Sequence, residues 1–150
     1  IRRPPRSTRK ESSAASDVYK RQVVNASGAG GTVTVKAIFD NDTADNLILD
    51  AHTLDGFANG CKLDLSRAWW GLTQGTAAAN TGDCIIKFIG ASANVVALQL
   101  AGSGHYDGSA GLIKGTATNT TATSSDINGQ TRGTSGFVIL EFKKDAAWTT

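Results

Sequence analysis

The sequence predicts an all-β protein, folded as a single antiparallel β-sandwich or jelly-roll-like domain of about seven or eight strands. Several short segments alternate apolar and polar residues with the two-residue period of a half-buried strand. No stretch repeats apolar residues at helical spacing over three turns. Beyond residue 22, Gly, Ala, Thr, Ser and Asn dominate the composition and Glu141 is the only glutamate. This composition favours strands and turns over helices.

The first half of the chain contains three predicted strands. Residues 32–39 alternate cleanly, and a turn at 40–42 separates them from a short strand at 46–50, because Asn and Asp side chains bond their own backbone in turns. Residues 61–70 alternate again, and a hairpin loop is expected at 71–83. The apolar positions of the two long segments are predicted to face the core: Val33, Val35, Ala37, Phe39, Cys61, Leu63, Leu65 and Trp69.

Three further strands are predicted in the second half, at 83–89, 95–100 and 136–143. The first two are joined by only a few residues, which predicts that they pair antiparallel. Their inward positions, with those of the last strand, are expected to be Cys84, Ile86, Phe88, Val96, Leu98, Leu100, Val138, Leu140 and Phe142.

The segments between these strands are rich in small polar residues. A Gly-rich loop is expected at 101–108, followed by a very short strand at 112–113. Residues 116–134 are almost wholly Thr, Ser, Asn and Gly, with Ile127 as the only large apolar residue. We expect this segment to be either an exposed strand and loop or a mobile excursion.

The N-terminal segment, residues 1–22, differs from the rest of the chain. It combines seven Lys and Arg with Pro4 and Pro5, and it has no apolar periodicity that could bury a face,. It also resembles the translation of a sequencing adapter. We interpret it as disordered and adapter-derived, rather than as a basic arm or a targeting peptide, and we take residues 23–150 as the single domain. Because the chain begins at Ile1 and contains no methionine, we expect that the native N-terminus is not included.

This interpretation changes the meaning of the net charge. The whole chain carries +2, but residues 1–22 hold 7 of its 15 basic and 2 of its 13 acidic residues, which leaves 8 bases, 11 acids and a charge of −3 for residues 23–150. An acidic remainder gives no reason to expect a nucleic-acid partner. No apolar run approaches the roughly 20 residues that cross a bilayer, so no membrane partner is expected either.

Candidate catalytic residues are few. His52 and His105 are the only histidines, and a hydrolytic relay needs a nucleophile, a base and an orienting carboxylate. Ser103, His105 and Asp107 alternate along one Gly-rich segment, where they cannot fold back onto one another. The glycines on either side of Ser103 do not form a phosphate cradle, since no helix follows them. We therefore predict a protein that is not an enzyme and needs no cofactor.

One segment has the spacing of a weak calcium site. Asp40, Asp42 and Asp45 supply oxygens near alternating positions, as in a Ca²⁺ loop. The glycine and the glutamate of such a loop are missing, and Ala51 stands where the glutamate would be. An Asx turn is the simpler interpretation, and no metal is expected.

Cys61 and Cys84 are the only cysteines, and both are predicted to point inward. Two such strands could be neighbours, so the spacing permits a disulfide. Small apolar thiols in a core are the alternative. Two cysteines are too few for a metal site.

The adjacent tryptophans are candidates for a binding surface. Successive residues of a strand point to opposite faces, so if Trp69 fills the core, Trp70 lies on the outer face. There it either packs under a loop or binds a partner or a sugar. Tyr106 and His105, at the end of the Gly-rich loop, are predicted to share that surface.

Three segments carry a resemblance to a known class of proteins. They are LDLSRAWWGLTQG at 63–75, LQLAGSGHYD at 98–107, and the run from 134 to 144 that contains Gly136 and Phe137. Together they resemble small β-rich virion structural proteins of marine tailed bacteriophages, over most of residues 61–144. The resemblance implies a structural role and transfers no catalytic residue.

The expected function is therefore that of a virion structural protein of the head, decoration or tail. It would act by assembly, as a homo-oligomer and with other virion proteins, and it would be localised in the virion after assembly in the host cytoplasm. The alternative is a carbohydrate- or receptor-binding module at a tail tip, in which Trp70 and Tyr106 stack on a glycan or contact the host surface.

Overall fold

The computed structural model describes residues 18–25, 28–42, 45–58, 60–75, 82–90, 93–115 and 126–149. Within these ranges the chain is all-β, as predicted, with no α-helix and no helix that is long and apolar enough to cross a membrane. Its strands are β1 (Val18–Asn25), β2 (Thr32–Asp42), β3 (Asp45–Leu49), β4 (Leu63–Gln74), β5 (Asp83–Phe88), β6 (Val95–Ala101), β7 (Ser103–Tyr106), β8 (Ile127–Arg132) and β9 (Thr134–Lys144). One turn of 3-10 helix spans Ala51–Thr53.

The strands form two antiparallel sheets. The five-stranded sheet has the order β1-β2-β9-β4-β7, and the four-stranded sheet has the order β3-β8-β5-β6. The β5–β6 hairpin is the innermost pair. The strands before it pair in turn with the strands after it, β4 with β7, β3 with β8 and β2 with β9. A nested hairpin divided between two sheets in this way is a jelly roll. Strand β1 extends one of its sheets.

The core lies between the two sheets. The rings of Phe88 in β5 and Phe142 in β9 meet edge to face across it, with centroids 6.4 Å apart. Fully buried side chains come from both sheets and include Val33, Val35, Ile48, Leu63, Leu65, Ile86, Leu100, Ile127, Val138 and Leu140. Most inward positions predicted from alternation are therefore confirmed. Val96 is an exception, with 56% of its surface exposed, because the pairing of β6 slips between its partners Ile86 and Lys87.

Two strands lie in segments for which the sequence predicted a Gly-rich loop and either an exposed strand and loop or a mobile excursion. Strand β7 falls inside the Gly-rich loop, and β8 falls inside the Thr- and Ser-rich segment, where it pairs with both β3 and β5. The inward positions of β8 are Ile127, Gly129 and Thr131. Only Ile127 is a large apolar residue, so the sequence does not show the alternation of a core strand. A side chain at Gly129 would lie 2.5 Å from Cδ1 of Ile48, which explains why this core position is a glycine. The short strand predicted at 112–113 is reduced to a single bridge between Ile113 and Leu65.

The N-terminal strand begins before the predicted domain boundary. Strand β1 starts at Val18 and pairs antiparallel with β2, so residues 18–22 are extended where the sequence predicted disorder. Backbone pairing with the edge of β2 needs no apolar pattern, which is why alternation does not reveal it. Residues 1–17 lie outside the described residues, and the adapter origin of the segment stays a prediction.

Candidate functional site

A β-bulge in β4 determines which tryptophan faces solvent. The pairing of β4 with β9 slips between Leu65 and Arg67, and an extra residue in a strand reverses the alternation beyond it. Trp70 consequently points toward the core side, whereas Arg67 and Trp69 are exposed. The prediction that Trp69 fills the core and Trp70 lies outside is therefore wrong, because it extended one alternation through the bulge.

Side-chain and backbone hydrogen bonds hold this bulge in place. The Oγ atom of Ser66 lies 2.9 Å from the backbone oxygen of Glu141 and 3.0 Å from its Oε1 atom. Leu65 exchanges two backbone hydrogen bonds of 2.9 Å with Ile113. These bonds to Ser66 and Leu65 stabilise the bulge and, with it, the reversal of faces in β4.

Trp70 and Tyr106 are partly buried against the core. The Nε1 atom of Trp70 donates to the backbone oxygen of Ala101 at 3.1 Å. Its ring covers Gly104, where a Cβ atom would lie 2.7 Å from Cζ2. The Tyr106 hydroxyl donates to the backbone oxygen of Gly111. Trp70 therefore packs against the backbone of residues 101–104, as in the first of its two alternatives, and a binding role for either ring stays a prediction.

The outer face of the five-stranded sheet carries exposed apolar side chains instead. Trp69 and Phe137 are 36% and 39% exposed. Ile139 and His105 lie directly opposite Trp69 on the two neighbouring strands, and Ile38 lies opposite Phe137. We call these five residues the aromatic face. His105 is the one predicted binding residue that the structure places on it.

Charged side chains flank the aromatic face. Lys36 lies opposite Ile139, and Lys36, Arg67 and Lys143 are all exposed. Glu141 lies opposite Arg67, with Oε1 3.9 Å from Nε. These four side chains together carry more positive than negative charge, so the surroundings of the face are basic.

A polar cleft adjoins this surface. Its volume is about 210 Å³, and it is lined by Ser66, Arg67, Asp107, Gly108, Gly111, Leu112, Glu141 and Lys143. Arg67 precedes Trp69 by two residues on the same side of β4, so the cleft continues the aromatic face. The backbone amide of Ser109 donates to Oδ1 of Asp107 at 2.9 Å. This bond is the main reason that the pKa of Asp107 is lowered, which keeps the carboxylate charged.

The Ser103, His105 and Asp107 group does not form a catalytic relay. Ser103 and His105 occupy one side of β7, two residues apart, and both are exposed. Asp107 follows the strand, and its carboxylate accepts the Ser109 bond. A nucleophile, a base and an orienting acid would have to bond one another in sequence. Among the described residues these three side chains make no such bonds.

The predicted calcium ligands are not gathered in a loop. Asp40 and Asp42 continue β2 to its end, and Asp45 begins β3 in the other sheet. The Asp45 carboxylate bonds Nζ of Lys87 at 3.1 Å and Nδ2 of Asn128 at 3.2 Å. The side chain of Asp42 lies outside the described part of the chain. Neither Asp40 nor Asp45 belongs to a group of three candidate metal ligands among the described residues.

Both cysteines are fully buried, and neither forms a disulfide. The backbone amide of Ala58 lies 3.2 Å from Sγ of Cys61. Burial raises the pKa of the Cys84 thiol to about 12, and it also raises the pKa of Cys61. Two protonated, buried thiols that form no disulfide are core residues, as in the second of the two interpretations of the sequence.

A C-terminal cluster was not predicted from the sequence. Lys144 is buried, its Nζ atom donates to the backbone oxygen of Asp55 at 2.9 Å, and it lies 4.7 Å from the centroid of the Trp148 ring. The Trp148 Nε1 atom donates to the backbone oxygen of Lys62 at 2.7 Å. These contacts fasten the chain after β9 and have no signature in local alternation.

No family model, curated protein or solved structure matches this chain. Function is therefore inferred below from the fold, the aromatic face and the cleft, together with the resemblance of residues 61–144.

Proposed function

We propose that this protein is a non-enzymatic structural component of a bacteriophage particle, in the head, decoration or tail, and that it acts by assembly. Its partners would be further copies of itself and other virion proteins, and its location would be the virion, after assembly in the host cytoplasm. The phage assignment rests on the resemblance of residues 61–144. The exposed aromatic face is the single observation that carries the assembly role.

The fold is compatible with this role. Jelly rolls occur in viral capsid domains and also in lectins and cupins. A fold alone does not define a function, so the choice among these roles depends on the surface that the fold presents.

The aromatic face has the character of a protein interface. The core is already closed between the two sheets, so Trp69 and Phe137 are not needed to fill it. Both occupy a regular sheet surface beside Ile38 and Ile139, and Arg67 borders them. Aromatic residues and arginine are enriched in interfaces, and contiguous exposed apolar residues mark sites of association.

The distribution of charge favours a second copy of this chain as the partner. Between Lys36 and Lys62 the sequence contains no Lys or Arg and five aspartates, namely Asp40, Asp42, Asp45, Asp50 and Asp55. Asp40 and Asp55 are exposed. The basic surroundings of the aromatic face in one copy can therefore contact this acidic segment in the next. Such a contact joins two different surfaces, which builds closed rings or open helical filaments.

Replacing Trp69 by Ser is expected to weaken self-association by about tenfold or more, because central aromatic residues dominate interface energies. The measurement is sedimentation velocity of the full chain over a range of protein concentrations. The wild type should increase in mass with concentration and dissociate as salt screens the charges.

Val96→Ser is the matched control, since Val96 is an exposed apolar residue on β6, away from the aromatic face. It should associate like the wild type. A wild type that stays monomeric at every concentration would contradict the assembly role. Loss of association in Val96→Ser but not in Trp69→Ser would place the interface on the β6 edge instead.

A carbohydrate- or receptor-binding module at a tail tip is the second candidate. It is favoured by the polar cleft, which lies beside Trp69 and His105 and offers charged groups next to an aromatic ring. In this candidate Trp69, whose ring is exposed, would stack on the sugar in place of Trp70 and Tyr106. Glycan binding by a monomeric protein, lost in Trp69→Ser and kept in Val96→Ser, would favour the module over assembly.

A further inference from the structure

Asp50, His52 and Asp126 come together at one end of the four-stranded sheet. Asp50 follows β3, His52 lies in the 3-10 turn, and Asp126 immediately precedes β8. One carboxylate oxygen of each aspartate and a ring nitrogen of His52 lie within 4.8 Å of one another. The group unites a histidine and two carboxylates from distant parts of the chain.

The separations of these atoms suit a small metal ion. The Nδ1 atom of His52 is 3.3 Å from Oδ1 of Asp126 and 3.5 Å from Oδ1 of Asp50. An ion bound tetrahedrally at about 2.0–2.1 Å holds its ligand atoms about 3.4 Å apart. Both distances from His52 Nδ1 match the edge of such a tetrahedron, and the two carboxylate oxygens lie within 4.8 Å of each other. Asp50 and His52 are partly exposed, so water can reach the fourth corner.

The negative charge of the two carboxylates also favours the binding of a cation. The Asp126 side chain is only 5% exposed. Among the described residues, His52 is the one basic side chain within ion-pair distance of Asp50 or Asp126, and it is charged only if protonated. The other buried aspartates of the described chain have permanently charged partners, in the pairs Asp64–Lys114 and Asp83–Arg132. A neutral histidine leaves two carboxylates uncompensated, and a divalent ion would neutralise both.

Neighbouring groups orient the three side chains. The backbone amide of Ala51 donates to Oδ1 of Asp126 at 2.9 Å, and the amide of His52 donates to Oδ1 of Asp50 at 3.0 Å. The Phe57 ring packs on the His52 ring, with centroids 4.3 Å apart. Each carboxylate oxygen retains a second lone pair. Supporting contacts of this kind hold metal ligands in place before the ion binds.

We propose that Asp50, His52 and Asp126 bind one divalent transition-metal ion, such as Zn²⁺. The Nδ1 atom of His52 coordinates the ion while the ring proton resides on Nε2. The ion links the end of β3 to the start of β8 and is a structural element.

The test is titration of the full chain with ZnCl₂ by calorimetry and with CoCl₂ by visible absorption, which reports a tetrahedral site. One equivalent should bind to the wild type. Asp126→Asn should weaken binding by more than about tenfold, while its amide oxygen still accepts the Ala51 bond and preserves the fold, as circular dichroism would verify. His52→Gln should have the same effect.

His105→Gln is the control, because His105 is the second histidine and lies on the aromatic face. It should bind the metal like the wild type. Absence of binding by a folded wild type would overturn the proposal and leave an ordinary histidine–aspartate hydrogen bond. Binding that survives in both Asp126→Asn and His52→Gln would overturn it too, since the metal would then sit elsewhere.

Discussion

Replacing Gly136 by Ala is expected to lower the free energy of unfolding by at least about 3 kcal/mol, through backbone strain and overpacking together. Gly136 lies in β9 with φ +135°, and a Cβ atom there would lie 2.0 Å from the backbone oxygen of Gly71 in β4. That oxygen belongs to a paired strand in the middle of the sheet and cannot move away without breaking the pairing. Urea denaturation followed by circular dichroism measures the loss.

Gly30→Ala is the control for the clash. Gly30 also has a positive φ, of +77°, but a Cβ atom there would meet nothing within 4 Å. The free energy of unfolding of Gly30→Ala should fall only by the cost of the left-handed backbone conformation, about 1 kcal/mol. Equal losses for the two variants would mean that the close approach of β4 and β9 at Gly136 is not as described.

Phe142→Ala is expected to lower the free energy of unfolding by about 3–5 kcal/mol. The side chain is fully buried and its ring packs edge to face on Phe88, which belongs to the opposite sheet. Truncation leaves a cavity between the sheets and removes an inter-sheet contact. The total free energy of unfolding of a typical domain is about 5–15 kcal/mol, so Phe142→Ala would remove much of the stability.

Phe137→Ala provides the comparison within the same strand. Phe137 points to the outer face, with 39% of its surface exposed, and its truncation should cost no more than about 1 kcal/mol when the protein is dilute enough to be monomeric. A loss as large as that of Phe142→Ala would mean that the inner and outer faces of β9 are wrongly assigned.

The fold class was predictable because most core strands alternate. The clean alternation around Val33 and Val35 and the short connection between β5 and β6 both led to correct strands and, for β5 and β6, to the correct antiparallel pairing. Strand β8 was not predictable as a central strand, because two of its three inward residues are Gly129 and Thr131. Strand β8 is positioned by its backbone pairing with β3 and β5 and by the contact of Ile48 with Gly129. Neither of these can be recognised from the sequence of β8 itself.

The candidate site was predictable only in part. Alternation required that Trp69 and Trp70 face opposite sides, and this is correct, but the sequence does not reveal the bulge between Leu65 and Arg67 that decides which side each takes. The metal-ligand group could not be predicted for a different reason. His52 and Asp126 are 74 residues apart, so only the pairing of β3 with β8 brings them together.

The virion role is tested most directly by mass spectrometry of density-purified virus particles from the sample in which the sequence occurs. We expect the tryptic peptide of residues 133–143 in the particles, with no peptide from residues 1–22. Particles that lack the protein while the soluble fraction contains it would contradict the structural role. A peptide from within residues 1–22 would contradict the adapter origin of that segment.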